Sequence, residues 1–445
     1  MALTPRWTRL EPHPVQLAYR GSPHRFNVVP AGRRSGKTER AKRKLVREAI
    51  RGTKFYPARF FAAAPTRDQA KRIFWGDLKA MIPPQFSLDK SETELMIRLP
   101  LSEIWVVGMD RPERIEGQPW DGGVLDEYAN MKPKAWTENV RPALADRRGW
   151  CDLIGVPEGR NHYYDLKRSA EAEMLERGPE SDWGLFHWLS ADILPADEIE
   201  AARRDLDDLT FQQEYEASFV NFEGRAYYAF RDDNKAALRD RYNPRAPLAI
   251  CLDFNVEPGV AVVAQEMTLP VGTEGTGCIG EVYIERNSNT PAVCRRLIQD
   301  WGGHEGPVVA YGDATGGARG TAQTQGSDWD LVKRDLGAHF GRRFRMKVPD
   351  SNPTERSRVN AMNTRTRTSD GTIRLQVDPF ACPNLVRDFE GVQTLKGGSG
   401  EIDKGKKGEN SKLTHLTDGL GYYVQKEFPV QARAPAKSIS SPVGY

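Results

Sequence analysis

Ala31–Thr38 reads AGRRSGKT, and the fold turns on how this stretch is read. A short apolar run, Phe26 to Val29, precedes it, and a helix-type run from Lys37 to Arg51 follows. Strand, glycine-containing loop and helix make the layout of a phosphate-binding P-loop. Gly32 and Gly36 are expected to let the backbone turn, so that its N–H groups face phosphate oxygens. The helix then adds the positive end of its dipole. In this reading Gly32, Arg33, Arg34, Ser35 and Gly36 cradle the phosphates. Lys37 reaches the β- and γ-phosphates, and the Thr38 hydroxyl holds Mg²⁺. The usual pattern opens with Gly, so Ala31 marks a relaxed form.

Upstream, Gln16 lies in PHPVQLAY. A glutamine amide can pair with a donor and an acceptor on the adenine edge. Gln16 is then either a nucleotide selector or an ordinary surface glutamine. Downstream, Arg59–Ala64 reads as a second strand and runs into a helix pattern through Gln69, Ile73, Phe74 and Leu78. Glu94–Leu99 and Glu103–Gly108 read as paired strands. Asp121–Glu127, DGGVLDE, is an apolar stub ending in two acids. Asp126 is expected in the Mg²⁺ shell, and Glu127 is expected to orient and deprotonate the attacking water. Arg141, Arg147 and Arg148 could face a neighbour's γ-phosphate or be plain surface arginines. The strand Trp150–Val156 breaks into GVPEGRN, well placed to sense hydrolysis. The charged stretch Glu171–Val220 reads as a helical lid.

The second half opens after a Gly-, Asn- and Pro-containing linker. Leu248–Leu252 is apolar and Asp253 follows; Val260–Ala264 returns as its hairpin partner. Gly280–Arg286 is a third strand. Pro307–Tyr311 is a fourth and ends in Gly312-Asp313 and the loop ATGGARG. Far downstream, KLTHLTDGLGYYV (Lys412–Val424) reads as a helix carrying Asp418. Carboxylates at two strand ends and on one helix can gather divalent metals for phosphodiester cleavage. Glu285 is the alternative second acid. His415 shares a helix face with Asp418, as a ligand, a proton carrier or a structural histidine.

Length and charge bound the rest. The 445 residues suggest about two or three domains, and the net charge of +3 excludes a polycation. Basic residues cluster locally, at Arg33–Arg51 and at Arg342–Arg367, where a phosphate backbone could meet them. The five cysteines form no CxxC pair, which argues against zinc and against a disulfide framework. No apolar h-region or membrane-length run is present, so the expectation is a soluble intracellular protein without a membrane partner. Gly397–Gly408 reads as a mobile Gly- and Lys-rich hairpin, and Pro429–Tyr445 as a disordered tail.

Taken together, GRRSGKT, the later LDE, the strand-end PEG, Asp253, GDATGG and HLTDGLGYY resemble the large subunit of tailed-bacteriophage terminases, over roughly Pro14 to Val424. The resemblance implies an α/β chain: an N-terminal ASCE-type P-loop ATPase domain with a helical lid, and a C-terminal RNase H-like nuclease domain. The expected bounds are 1–222 for the ATPase, with its lid from about 170, 223–246 for the linker, 247–428 for the nuclease and 429–445 for the tail. It implies ATP hydrolysis with Mg²⁺ through Lys37, Thr38, Asp126 and Glu127, with Arg34 sensing the γ-phosphate. It implies Mg²⁺- or Mn²⁺-dependent DNA cleavage by Asp253, Asp313 and Asp418. The implied partners are double-stranded DNA, a portal protein, a small terminase subunit and further copies in a ring. The implied location is the infected host's cytoplasm and, transiently, the procapsid portal, but not the mature virion. Departures are Ala31, the glycines before Asp126, and Gly419 where alanine often follows the third acid. The competing readings are a helicase–nuclease, which would need further helicase motifs after Val156, and a non-catalytic DNA-binding assembly protein.

Overall fold

A computed structural model of the chain describes residues 13–221, 224–254, 258–314, 327–395, 401–403 and 413–430. Residues 315–320 of the ATGGARG loop, most of 397–408 and the tail from 431 lie outside these. Two compact units emerge. The first holds the chain up to Glu200 together with Phe211–Asn221; the second holds Ala201–Thr210 and nearly all that follows Phe222.

The first unit is built on an eight-stranded sheet of order β3-β4-β5-β2-β6-β7-β1-β8. Its strands are β1 (Phe26–Pro30), β2 (Ala58–Ala64), β3 (Asp89–Ser91), β4 (Met96–Arg98), β5 (Ser102–Gly108), β6 (Gly122–Leu125), β7 (Trp150–Gly155) and β8 (Trp183–Leu185). All pairings from β5 to β8 are parallel. Parallel strands are covered on both faces, which is why β1 (FNVVP) and β2 (ARFFAAA) read as unbroken apolar runs. Helix α1 (Pro14–Arg20) precedes the sheet. Helix α2 (Lys37–Arg51) packs Ala41, Leu45, Val46 and Ala49 on one face, against Val29, Phe60, Ala62 and Val124. Helix α3 (His162–Arg177) and Trp136 cover Phe26, Val28, Phe61 and Leu153 on the other. Strand β7 lies between the P-loop strand β1 and the Asp-Glu strand β6, the order of the additional-strand class of P-loop ATPases.

The glycines before Asp126 have a packing reason. A Cβ on Gly122 would fall inside the Trp150 indole, and one on Gly123 inside the Phe61 ring. The stretch Glu171–Val220, expected as a helical lid, is helical in part. The helix begins earlier, at His162, and β8 joins the sheet edge beside β1. Trp183 anchors β8 by packing on Phe26 and Trp136, at ring separations of 5.1 and 5.8 Å. Helices α4 (Ala196–Asp205) and α5 (Asp208–Tyr215) follow.

The second unit is built on a six-stranded sheet of order β13-β12-β9-β10-β11-β14. Strands β9 (Leu248–Asp253), β10 (Gly259–Thr268) and β11 (Glu274–Ile284) form an antiparallel meander. Strand β12 (Val308–Gly312) returns parallel to β9, with β13 (Phe344–Met346) outside it; β14 (Leu375–Val377) closes the other edge. Alternation along β9 sorts the two faces. Leu248, Ile250 and Leu252 meet α6 (Thr290–Trp301) and α7 (Asp328–Phe340) through Val293, Leu297, Val332 and Leu336. Ala249 and Cys251 meet α8 (Glu355–Thr366), α9 (Pro383–Gly391) and α10 (His415–Glu427) through Met362, Phe389, Leu416 and Leu420. Asp253 is the next residue on that second face.

The stretch expected as a linker packs into this unit. Ala226, Tyr227, Phe230 and Leu238 are buried there, and the Ala226 N–H donates to the Val392 carbonyl. All five cysteines are buried and unbridged. Among the described residues no helix is long and apolar enough to cross a membrane.

Candidate active sites

The P-loop enters α2 through Gly36, whose φ of 80° lies in the left-handed region that glycine favours. Gly32 has a different reason to be glycine: a Cβ there would run into Ser190 and stand 2.6 Å from the Tyr215 carbonyl. The loop is wrapped by residues more than 150 positions downstream. The Gly32 N–H donates to the Trp188 carbonyl, the Trp188 indole donates to the Ser35 carbonyl at 3.0 Å, and Ser190 donates to the Arg33 carbonyl at 2.7 Å. Arg33 pairs with Glu214 at 2.8 Å, so it holds α5 to the loop. Glu214 is a half-buried acid that spacing does not reveal. Burial pushes its pKa up, Arg33 pulls it down, and Glu158 and Glu127 push it up further.

Gln16 is 1 % exposed, and its amide is spent on the loop: Nε2 donates to the Ser35 carbonyl at 2.8 Å, and Oε1 accepts from Arg40 at 3.0 Å. Its place here is that of a brace for the P-loop. It is not a surface glutamine.

Lys37 is buried at the head of α2. The Thr38 hydroxyl donates to Asp126 Oδ2 at 2.9 Å, so the two residues expected around Mg²⁺ are already in contact. Asp126 is buried and its pKa is pushed up to about 6. Burial is the main cause and Glu127 adds to it, while Lys37 and Thr38 oppose. Glu127 sits at φ 53°, a left-handed conformation uncommon outside glycine and typical of functional sites. A Cβ on Gly155 would be 3.2 Å from the Tyr128 nitrogen, so the end of β7 lies against this corner. From the loop after β7, Asn161 donates to the Ala129 carbonyl at 2.9 Å and the His162 ring meets the Tyr128 carbonyl at 3.1 Å. The strand tip expected to sense hydrolysis therefore touches the residues that follow Glu127.

Arg34 is exposed, with φ 57°. Of the other arginines, Arg147 is committed to buried Asp121 at 2.6 Å and lies over Phe55, a structural position. Arg141 and Arg148 are exposed.

In the second unit the register brings two acids together. Leu252 is paired with Gly312, so Asp253 and Asp313 leave neighbouring parallel strands at the same end. Helix α10 lies directly on that end: a Cβ on Gly419 would be 3.2 Å from the Cys251 oxygen and 3.4 Å from the Asp253 nitrogen. Glycine after the third acid thus reflects a close helix–strand approach. The Tyr422 phenol, one turn along α10, registers all three acids. Burial pushes its pKa up, Arg358 opposes, and Asp313, Asp418 and Asp253 each push it further up.

Each acid has a partner. His415 Nδ1 is 3.2 Å from Asp253 Oδ2. Burial lowers the imidazole pKa, but the hydrogen bond and charge of Asp253, with Asp388 and Asp418, raise it on balance. Asn352 donates to Asp313 Oδ1 at 2.6 Å, and Trp329 donates to the Asp313 carbonyl at 2.8 Å. Arg358 donates to Asp418 Oδ1 at 2.8 Å. Spacing singles out neither Asn352 nor Arg358; Arg358 is hidden inside a basic run. Glu285 lies exposed beyond the end of β11, with β10 between it and β9. Hard carboxylate oxygens suit Mg²⁺ or Mn²⁺. Among the described residues, however, no three acid, imidazole or thiol groups stand close enough in this arrangement to share one ion.

The basic stretch Arg342–Arg367 is not one patch beside the acids. Arg342, Arg343, Arg345 and Lys347 line a cleft of about 590 Å³ with Pro247 and Leu248, at the opposite end of β9 from Asp253. Arg365 and Arg367 pair with Glu266 and Asp233.

The geometry defines a class: a P-loop ATPase fold joined in one chain to an RNase H-like nuclease fold. No family model matches the chain. Two curated proteins named terminase large subunit, from Thermus phage G20c and Thermus virus P23-45, are each 27% identical over 331 residues, covering 66% of this chain and 67% of theirs. Among solved structures, the large terminase of a thermophilic bacteriophage matches 96% of this chain and 99% of its own with a TM-score of 0.59, at 16% identity. That protein also has structures with ADP and with ATP-gamma-S. The chain is thus a relative of the phage large terminase subunits.

Proposed function

We propose that the chain is the motor and nuclease of viral genome packaging, driving double-stranded DNA into a procapsid with ATP and cutting the concatemer. The observation that carries this reading is the pairing, in one chain, of a P-loop whose Thr38 touches Asp126 with a second unit whose sheet ends in Asp253 and Asp313 under Asp418. The likeness to terminase large subunits supports the same reading.

ATP is the nucleotide in this proposal. The turn at Gly36 and Lys37 bind its phosphates, while the Gly32 N–H stays on the Trp188 carbonyl, and Thr38 and Asp126 hold Mg²⁺. Glu127 orients the attacking water and accepts its proton. Arg34 reads the γ-phosphate from within the loop, and Arg141 or Arg148 is available to a neighbouring copy in a ring. In the nuclease, Asp253, Asp313 and Asp418 hold Mg²⁺ or Mn²⁺, which when bound supplies charge neutralisation at the scissile phosphate. His415 orients Asp253 and Asn352 orients Asp313. The remaining partners are a portal protein and a small terminase subunit, met in the host cytoplasm.

The test uses the full-length protein with plasmid DNA, with and without Mg²⁺ or Mn²⁺, and follows cleavage and ATP turnover in parallel. Metal-dependent nicking and ATP hydrolysis are both expected. Turnover without any cleavage would remove the nuclease half of the reading; cleavage without turnover would remove the motor.

A further inference from the structure

The three acids of the second unit are not held alike. Asp313 meets a neutral amide and Asp253 meets an imidazole, but Asp418 meets a guanidinium that keeps its charge under all ordinary conditions. Arg358 reaches Asp418 from α8, and both residues are buried, at 7 % exposure each. Its Nη1 donates to the carboxylate at 2.8 Å and to the Asp418 backbone carbonyl at 3.3 Å. The guanidinium lies 4.5 Å from the centre of the Tyr422 ring. Among the described residues its buried Nε has no hydrogen-bond partner.

We propose that Arg358 is a positioning residue that stands in for a metal ion at Asp418: it neutralises and orients the third acid in the metal-free protein, and a divalent cation competes with it for that carboxylate. The proposal rests on the nuclease reading of this site. Asp253, Asp313 and Asp418 all act on the Tyr422 phenol, and carboxylates at one end of a sheet repel one another unless a cation lies among them. Arg358 provides a fixed positive charge within the fold, so the helix carrying Asp418 can dock on β9 before any ion binds. The second contact, to the Asp418 carbonyl, keeps the guanidinium anchored when the carboxylate turns to a metal. The cost of this arrangement is weaker metal binding, because only the fraction of molecules in which Asp418 has left Arg358 is competent to bind.

The experiment compares full-length wild type, R358Q, R358K, D418N and the R358Q/D418N double variant. Melting temperature is measured with and without MnCl₂, and plasmid cleavage is titrated with Mn²⁺. Without metal, R358Q melts below wild type. Mn²⁺ then raises the melting temperature of R358Q more than that of wild type, and this extra gain disappears in R358Q/D418N. The half-saturating Mn²⁺ for cleavage falls by about threefold or more in R358Q, while the rate at saturation also drops because the acid is less well oriented. R358K keeps the charge and most of the bulk, so it keeps the fold if R358Q does not. Its single ammonium releases Asp418 more readily than the planar fork, giving a smaller shift in the same direction. Equal Mn²⁺ effects in wild type and both Arg358 variants would reduce Arg358 to a packing contact and overturn the proposal. If Mn²⁺ shifts no variant and wild type does not cut, the nuclease reading falls, and this proposal with it.

Discussion

The Thr38 hydroxyl donates to Asp126 Oδ2 at 2.9 Å across 88 positions of sequence, joining the head of α2 to the end of β6. Strand β7 lies between β6 and the P-loop strand, so the contact is made above it. Two residues that would share a Mg²⁺ ion are thereby placed by the sheet before any nucleotide arrives, and Glu127 follows at the same corner.

From this corner comes the first prediction. Lys37→Ala and Glu127→Ala should both abolish measurable ATP turnover, by different routes. Loss of Lys37 removes a phosphate contact and weakens nucleotide binding. Loss of Glu127 leaves binding intact and lowers turnover by about 10²- to 10⁴-fold, the range for a lost general base. Fluorescent-nucleotide binding beside a phosphate-release assay separates the two. Normal turnover in the Glu127 variant would mean that another group takes the proton, and half-buried Glu214 is the nearest in kind. Plasmid cleavage should survive both changes.

Asp126 supplies a pH signature. Its folded pKa of about 6 lies above the ordinary 3.8, so the native state holds a proton that the unfolded state has lost between those values. The contribution of Asp126 to stability is therefore fully present below about pH 4, declines as pH rises through 6, and is lost above it. Asp126→Asn, a neutral stand-in of the same shape, should stabilise the nucleotide-free protein at pH 7 by about 3 kcal/mol, read as a raised melting temperature. That advantage should vanish near pH 4. An Asn variant less stable than wild type at pH 7 would show that the Lys37 and Thr38 contacts outweigh burial.

Gly32→Ala tests why the P-loop carries this glycine. A Cβ would meet Ser190 and the Tyr215 carbonyl, which are backbone-anchored and cannot swing aside. The expected result is a loss of about 1–3 kcal/mol from overpacking, together with loss of ATP turnover. Combining it with Ser190→Gly should not rescue stability fully, because the Tyr215 carbonyl remains in the way. A stable, active Gly32→Ala protein would show that α5 can move off the loop at little cost.

What the sequence discloses and what it hides divide along physical lines. The P-loop, the Asp-Glu stub and the strand-end acids are local signals, because each is set by chemistry within a few residues. Strand β8 is hidden because it is only three residues long, Trp183–Leu185, and its place at the sheet edge is set by the packing of Trp183 on Phe26 and Trp136. The brace made by Gln16, Trp188, Ser190 and Glu214 is hidden because each is an ordinary residue in its own neighbourhood. Arg147 illustrates the reverse error: it is a reasonable finger by position, yet buried Asp121 claims it. In the second unit Arg358 reads as one more charge in a basic run. Its partner lies on a helix 60 positions away, and no spacing rule connects them.

The acids themselves give the last prediction, and their different partners make it specific. Asp253→Asn, Asp313→Asn and Asp418→Asn should each cut metal-dependent cleavage severely while leaving ATP turnover in place, since each removes a charged oxygen ligand and keeps the shape. Their stabilities should differ. Asp313→Asn leaves an amide facing Asn352, a loss on the scale of one hydrogen bond, about 1 kcal/mol. Asp253→Asn removes the carboxylate that holds His415, whose neutral ring can still hydrogen-bond an amide and so limit the damage. Asp418→Asn strands a buried guanidinium that cannot deprotonate, and breaking one side of a buried pair costs about 3–5 kcal/mol. Melting curves at pH 7 without metal should therefore rank Asp418→Asn lowest and Asp313→Asn nearest wild type. If Asp418→Asn melts with the other two, the Arg358 pair is worth no more than a surface contact. If Asp313→Asn cuts plasmid at the wild-type rate while Glu285→Gln does not, the second acid is Glu285, and the end of β11 belongs to the site.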